Sequence, residues 1–127
     1  MTLGAQKSGQ RGPEIDRSVL GEWLEGDDDA IDELLAVFRD SACAEQARMS
    51  EVLTKGDLTE YANAAHRLRG AALSMGARAL AETAGILFAA ARAMDAGACA
   101  EGMPLLATQI RAMAAEVPLT PDRARPA

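Results

Sequence analysis

The amino-acid sequence predicts an all-α fold, an antiparallel up-down-up-down four-helix bundle with a short N-terminal helix packed across it. Three observations carry that expectation. The composition is 49% hydrophobic with only 3% aromatic residues and is rich in alanine, which suits closely packed helices, whereas sandwich and barrel strands draw on β-branched and aromatic side chains. No segment alternates apolar and polar residues with period two. Four long segments instead repeat apolar residues at helical spacing and are joined by connections of a few residues, so successive helices should be antiparallel neighbours. A chain of 127 residues has room for one core and one domain.

Taken in order, residues 1–12 hold glycines and polar side chains without periodicity and read as a flexible leader. After Asp16, the residues Val19, Trp23 and Leu24 continue a helical spacing begun at Ile15 and stop near Gly26. A helix this short is marginal alone, and it should persist by laying Val19 and Trp23 on a larger body. The acidic run Asp27-Asp28-Asp29 suits the positive end of a helix dipole, and Ile31, Leu34, Leu35, Phe38, Ala42, Met49, Val52 and Leu53 mark the face that follows, up to Lys55-Gly56. Asp57 can cap a third helix with the stripe Leu58, Tyr61, Ala62, Ala65, Leu68, Ala72 and Met75, stopped by Gly76. A fourth carries Leu80, Ala84, Leu87, Phe88, Ala91 and Met94 on its core face and should end at Ala96-Gly97. The last stripe is Met103, Leu106, Ile110, Met113 and Val117, with Pro104 suited to its first turn and Pro118 to its stop. The bundle would thus occupy residues 13–118, with a flexible tail at 119–127.

A formal net charge of −6 disfavours nucleic acid and anionic membrane as partners, since both are held by an excess of Lys and Arg. No apolar run approaches the roughly 18 to 20 residues that span a bilayer, and residues 1–12 lack the apolar core of a secretory signal, so a cytoplasmic location is expected. Cys43 and Cys99 form no CxxC or Cys/His cluster. One histidine and no set of spaced oxygen ligands around Asp27 to Asp29 argue against a metal site on this chain. Met75, Met94, Met103 and Met113 fall on core stripes and read as packing.

The single histidine, His66, stands mid-helix in Ala64-Ala65-His66-Arg67-Leu68-Arg69-Gly70-Ala71-Ala72-Leu73-Ser74-Met75-Gly76-Ala77. At 100° per residue it falls about 110° from the centre of the apolar stripe, at the edge of the core. Arg69 at i+3 and Gly70 at i+4 are its neighbours on the helix surface. Glycine inside a helix costs about 1 kcal/mol relative to alanine, so something favours an absent side chain at Gly70. Either it gives a partner or a phosphoryl group access to the imidazole, with Arg69 as an anion donor, or it permits close helix packing. Thr59, Asn63, Arg67, Leu73 and Ser74 share the non-core side or edge with His66 and Gly70 and are the candidate partner-binding residues. Leu73 is either an exposed apolar anchor for that partner or tucked against the next helix.

The segment His66-Arg67-Leu68-Arg69-Gly70, followed by Ala71-Ala72 and then Gly76-Ala77, resembles the histidine-containing phosphotransfer (HPt) domain family of multistep phosphorelays. The opening from Ile15-Asp16 to Leu24, Phe38-Arg39-Asp40, Gly56-Asp57 and Leu80-Ala81 are similar to the family pattern as well, and the resemblance covers about residues 15–117. It departs from that pattern at Arg69 in place of the usual Lys, at Ala71 in place of a frequent Ser, and around Phe88, where a Glu is common and where the stripe reads as core. The resemblance implies that His66 is the phosphorylated residue, assisted by Arg69 and Gly70, and that it carries a phosphoryl group between aspartates of response-regulator receiver domains. It also implies a hybrid sensor histidine kinase upstream, no cofactor on this chain, and Mg²⁺ on the partner receiver. In-line transfer needs positioning and charge neutralisation more than covalent machinery. With no Gly-rich nucleotide loop, ATP-dependent kinase activity of its own is not expected, and the chain should be a monomer. Two other classes stay open: a non-transferring helical adaptor, and an inhibitor that binds a kinase or receiver.

Overall fold

Most helices begin where an aspartate can accept a hydrogen bond from a backbone N–H of the first turn, the arrangement that satisfies donors left over at a helix start. In the computed structural model, which describes residues 14–118, Asp16 caps α1 (Arg17–Leu24), Asp27 caps α2 (Asp28–Thr54) and Asp57 caps α3 (Leu58–Ser74). α4 (Arg78–Arg92) follows Ala77 without a side-chain cap, and Asp95 caps α5 (Ala96–Ala115). Gly26, Gly56 and Gly76 follow the ends of α1, α2 and α3 with φ of +75°, +77° and +73°, the left-handed turn that closes a helix most cheaply with glycine. The leader and tail expected at 1–12 and 119–127 lie outside the described residues.

The four long helices form the antiparallel bundle. Glu45 of α2 pairs with Arg67 of α3 and Arg48 with Glu60, so one helix is followed backwards as the other is followed forwards. α2 packs on α3 and α5, and α4 packs on the same two, which closes the ring. Leu35, Met49, Tyr61, Leu68, Leu80, Leu87, Leu106 and Met113 fill the centre with almost no exposure. The Tyr61 hydroxyl donates to the Cys99 carbonyl at 3.4 Å and to Met103 Sδ at 3.1 Å, and burial pushes the phenol well above its ordinary range.

α1 lies across the bundle against α2, but its buried anchors are Ile15 and Leu20, not the expected Val19 and Trp23. Trp23 is 65% exposed and Val19 only half-buried. The reason is how the segment is tied down. The backbone N–H groups of Glu14 and Ile15 donate to the Glu116 carboxylate at the end of α5, and Asp16 N–H donates to the Gly76 carbonyl at 2.9 Å. Those bonds hold α1 in the rotation that buries Ile15 and Leu20. A Cβ at Gly76 would come within 2.6 Å of the Asp16 carbonyl oxygen, so the end of α3 admits the N-terminal segment only as glycine.

The α4 to α5 boundary also differs from expectation. α4 stops at Arg92, Met94 turns out of the core with φ of +60°, and Pro104 lies inside α5 rather than in its first turn. The Asp95 cap starts α5 earlier, and Gly102 lets its first turns lie close on α4, since a Cβ there would sit 2.5 Å from Leu87 Cδ2. Pro104 costs one hydrogen bond within the helix.

Candidate functional site

α3 buries Ala65 and Leu68 and leaves His66, Arg67, Arg69 and Gly70 exposed. The imidazole leans on Phe88 of α4, with ring centroids 5.4 Å apart and planes at 41°. Phe88 is therefore not a core residue, as its stripe suggested, but a half-buried wall of the site. It also takes the Arg92 guanidinium, 5.7 Å from its ring centroid. No hydrogen bond joins either ring nitrogen of His66 to any other described residue.

Arg69 has no ion-pair partner among the described residues. Its side chain crosses α4 at Gly85, where a Cβ would lie 3.2 Å from both Arg69 Cδ and Nε, and it lines a groove with Gly85, Ile86 and Phe88. A Cβ added at Gly70 would meet nothing within 4 Å. That finding removes the close-packing alternative for this glycine and leaves open space one turn from the imidazole.

The remaining candidates divide between two sides of α3. Arg67 is bound by Glu45 through Nε at 2.9 Å and Nη2 at 3.1 Å, with Glu60 at 3.6 Å. The Glu45 hydrogen bond holds the guanidinium above its ordinary pKa. Asn63 donates to Glu60 at 3.3 Å, the largest cause of a lowered Glu60 carboxyl, to which Arg48 adds. Thr59 and Asn63 also line a second groove with Phe88, Arg92 and Met94. Leu73 is 49% exposed and lines a groove with Arg69 and with Arg78 and Glu82 of α4, so it stands at the edge of the next helix, half open to solvent. Ser74 donates to the Gly70 carbonyl at 3.1 Å.

The structure thus gathers His66, Arg69, Gly70 and Leu73 toward α4 and commits Arg67 to α2. Sequence reasoning missed Gly85, Ile86 and Arg92 and misplaced Phe88. Gly85 carried the same signal as Gly70, a glycine in an alanine-rich helix, and Phe88 and Arg92 stand at the i,i+4 spacing of surface neighbours. Among the described residues there is no group of three or more His, Cys, Asp or Glu able to hold a metal ion, and no helix is long and apolar enough to cross a membrane. An exposed imidazole with open nitrogens beside an unpaired guanidinium can accept an anionic electrophile. The Hpt domain family matches residues 33–117, more than half of the chain; the match begins inside α2, so α1 falls outside it. No curated protein and no solved structure matches the chain.

Proposed function

The chain belongs to the Hpt domain family, histidine phosphotransfer modules of phosphorelays, and from that premise we propose that His66 carries a phosphoryl group between aspartates of response-regulator receiver domains. The observation that carries the proposal is the exposed, unpartnered imidazole with open space at Gly70 one turn along the helix. The lone pair of the unprotonated ring nitrogen attacks the phosphorus of a receiver aspartyl phosphate. An N–P bond forms as the P–O bond to the aspartate breaks, and the electron pair leaves on the carboxylate. The other ring nitrogen brings its proton into the product, where solvent can take it. The return reaction is the same step reversed toward another receiver.

Arg69 supplies a positive charge and directed donors to the phosphoryl oxygens, a use for which an unpaired guanidinium is suited. Mg²⁺ and the acceptor aspartate belong to the receiver in this scheme, and a hybrid sensor kinase is the upstream source. The receiver docks over Thr59, Asn63, Leu73 and Ser74 of α3 and meets the apolar side chain of Ile86 on α4, which is 65% exposed. Arg67, already neutralised by Glu45 and Glu60, stands at the rim of that face. The chain acts as a cytoplasmic monomer without a kinase reaction of its own.

The test is labelling by a phosphorylated receiver. The expected label sits on His66, is lost in acid and kept in base as a phosphoramidate, and is absent from His66→Gln. A label that persists in His66→Gln overturns the assignment, and a wild-type chain that binds receivers without accepting phosphate selects the inhibitor or adaptor alternative.

A further inference from the structure

We propose that Phe88 is a positioning residue for transfer through His66, holding the imidazole by its ring face so that neither ring nitrogen is spent on a protein hydrogen bond. The proposal rests on His66 being the phosphoryl carrier.

An exposed histidine on a helix samples several staggered rotamers, and in-line transfer rewards the one that aims a nitrogen at the incoming phosphorus. A histidine is commonly oriented by a hydrogen bond to one nitrogen, which also selects the tautomer. No described residue makes such a bond to His66. What restrains the ring instead is Phe88, centroid to centroid 5.4 Å at a 41° tilt, a geometry within the range of favourable aromatic pairs. Phe88 is in turn fixed on two sides. Its half-buried position anchors it against the core, and Arg92, one turn on, places its guanidinium 5.7 Å from the same ring.

The position of Phe88 makes this more than packing. It borders two shallow grooves, one with Arg69 and Gly85 and the other with Asn63 and Arg92, and its ring also meets the imidazole. A side chain at that position limits how far the imidazole can swing toward α4. An aromatic contact restricts that swing while leaving one nitrogen to attack and the other to keep its proton, so the receiver, not this chain, selects the reacting tautomer.

The experiment uses the full chain, as wild type, Phe88→Leu and Phe88→Tyr, loaded by whichever receiver domain of the host phosphorylates the wild type fastest. Phe88→Leu is expected to keep its helicity and lose about tenfold in transfer rate, while Phe88→Tyr, which keeps the ring, stays within about twofold of wild type. Inorganic phosphoramidate, a donor too small to depend on the aim of the ring, should load His66 in all three chains within about twofold. Proton NMR of the wild type supplies a measurement independent of any variant: the His66 ring protons should be displaced by the Phe88 ring current, and remain displaced in Phe88→Tyr. A folded Phe88→Leu chain that accepts phosphate from the receiver as fast as wild type, or undisplaced His66 protons in the wild type, overturns the proposal alone. A wild-type chain that takes no phosphate on His66 from either donor overturns the carrier assignment and this proposal with it.

Discussion

Two arginines two residues apart on α3 have opposite fates. Toward α2, Arg67 is gripped by both oxygens of Glu45 and approached by Glu60, while Arg48 reaches Glu60 and Glu51. Toward α4, Arg69 lies over Gly85 with no carboxylate paired to it among the described residues, in a groove shared with Phe88 and one turn along α3 from an unbonded histidine. One flank spends its charge on holding helices in register; the other keeps its charge available. Residue type alone does not say which arginine recognises an anion. What decides it is whether the facing helix brings an acid into bonding distance, as α2 does with Glu45, or meets the arginine with a glycine and an aromatic ring while its acid, Glu82, lines the groove unpaired with it, as α4 does.

The largest expected contrast comes from exchanging the two fates. Arg69→Ala should slow phosphate acceptance from a receiver by about ten- to a hundredfold, since a hydrogen bond to a charged group is worth about 1.5–3 kcal/mol, and leave the melting temperature unchanged. Arg67→Ala should transfer within about twofold of wild type and melt lower. Its ion pair is half-exposed, so the loss is at most about 1 kcal/mol, or up to roughly 3–5 °C for a chain of 127 residues. Rapid-quench transfer assays beside thermal melts check both. Equal slowing by the two substitutions would erase the distinction between the flanks.

Gly70 gives the next effect. Gly70→Gln should fold with near-native circular dichroism and accept phosphate at least about tenfold more slowly, a barrier increase of roughly 1.4 kcal/mol, because it fills the space beside the imidazole. Gly70→Ala should instead raise stability by up to about 1 kcal/mol, as its Cβ meets nothing. A destabilised Gly70→Ala would mean that the glycine is needed for folding.

Gly85→Ala is subtler. The new methyl forces Arg69 to move by a few tenths of an ångström, and a slowing of about threefold is expected. In an Arg69→Ala background the same substitution should have no further effect, the coupling that a double-mutant cycle isolates. Additive losses would show that Gly85 acts by some route other than Arg69.

Tyr61, on the core face of α3, should leave transfer alone and make stability fall at high pH. Its folded pKa is raised by burial, so its contribution is fully present below the unfolded phenol value of about 10 and is lost as pH rises above it. Thermal melts between pH 9 and 11 should fall in the wild type and fall less in Tyr61→Phe.

Much of this was legible in the sequence because local chemistry set it. Asp27, Asp57 and the glycines at 56 and 76 fixed the ends of α2 and α3, and His66, Arg69 and Gly70 share one helix whose period brings them together. The errors occur where local signals are weak or long-range contacts decide. Residues 89–100 are so rich in alanine that the boundary between α4 and α5 left no periodic mark, and Pro104 pointed to a helix start two turns late. Trp23 was expected inside by size and spacing, yet the backbone bonds to Glu116 and Gly76 turn α1 the other way. The part of the site on α4 stayed hidden because the registration of Phe88 and Gly85 against His66 and Arg69 is a property of two helices packed together. Neither helix carries it alone.

The most direct measurement is the backbone and side-chain NMR spectrum of the chain before and after phosphorylation. Attachment to His66 should give one phosphoramidate signal in the ³¹P spectrum and move the resonances of Arg69, Gly70, Gly85 and Phe88, while the side-chain resonances of Glu45 and Glu60 stay in place. A phosphorus signal of another type, or shifts centred on the Glu45–Arg67 seam with the α4 side undisturbed, would contradict the assignment of His66 and its α4-facing flank as the phosphoryl site.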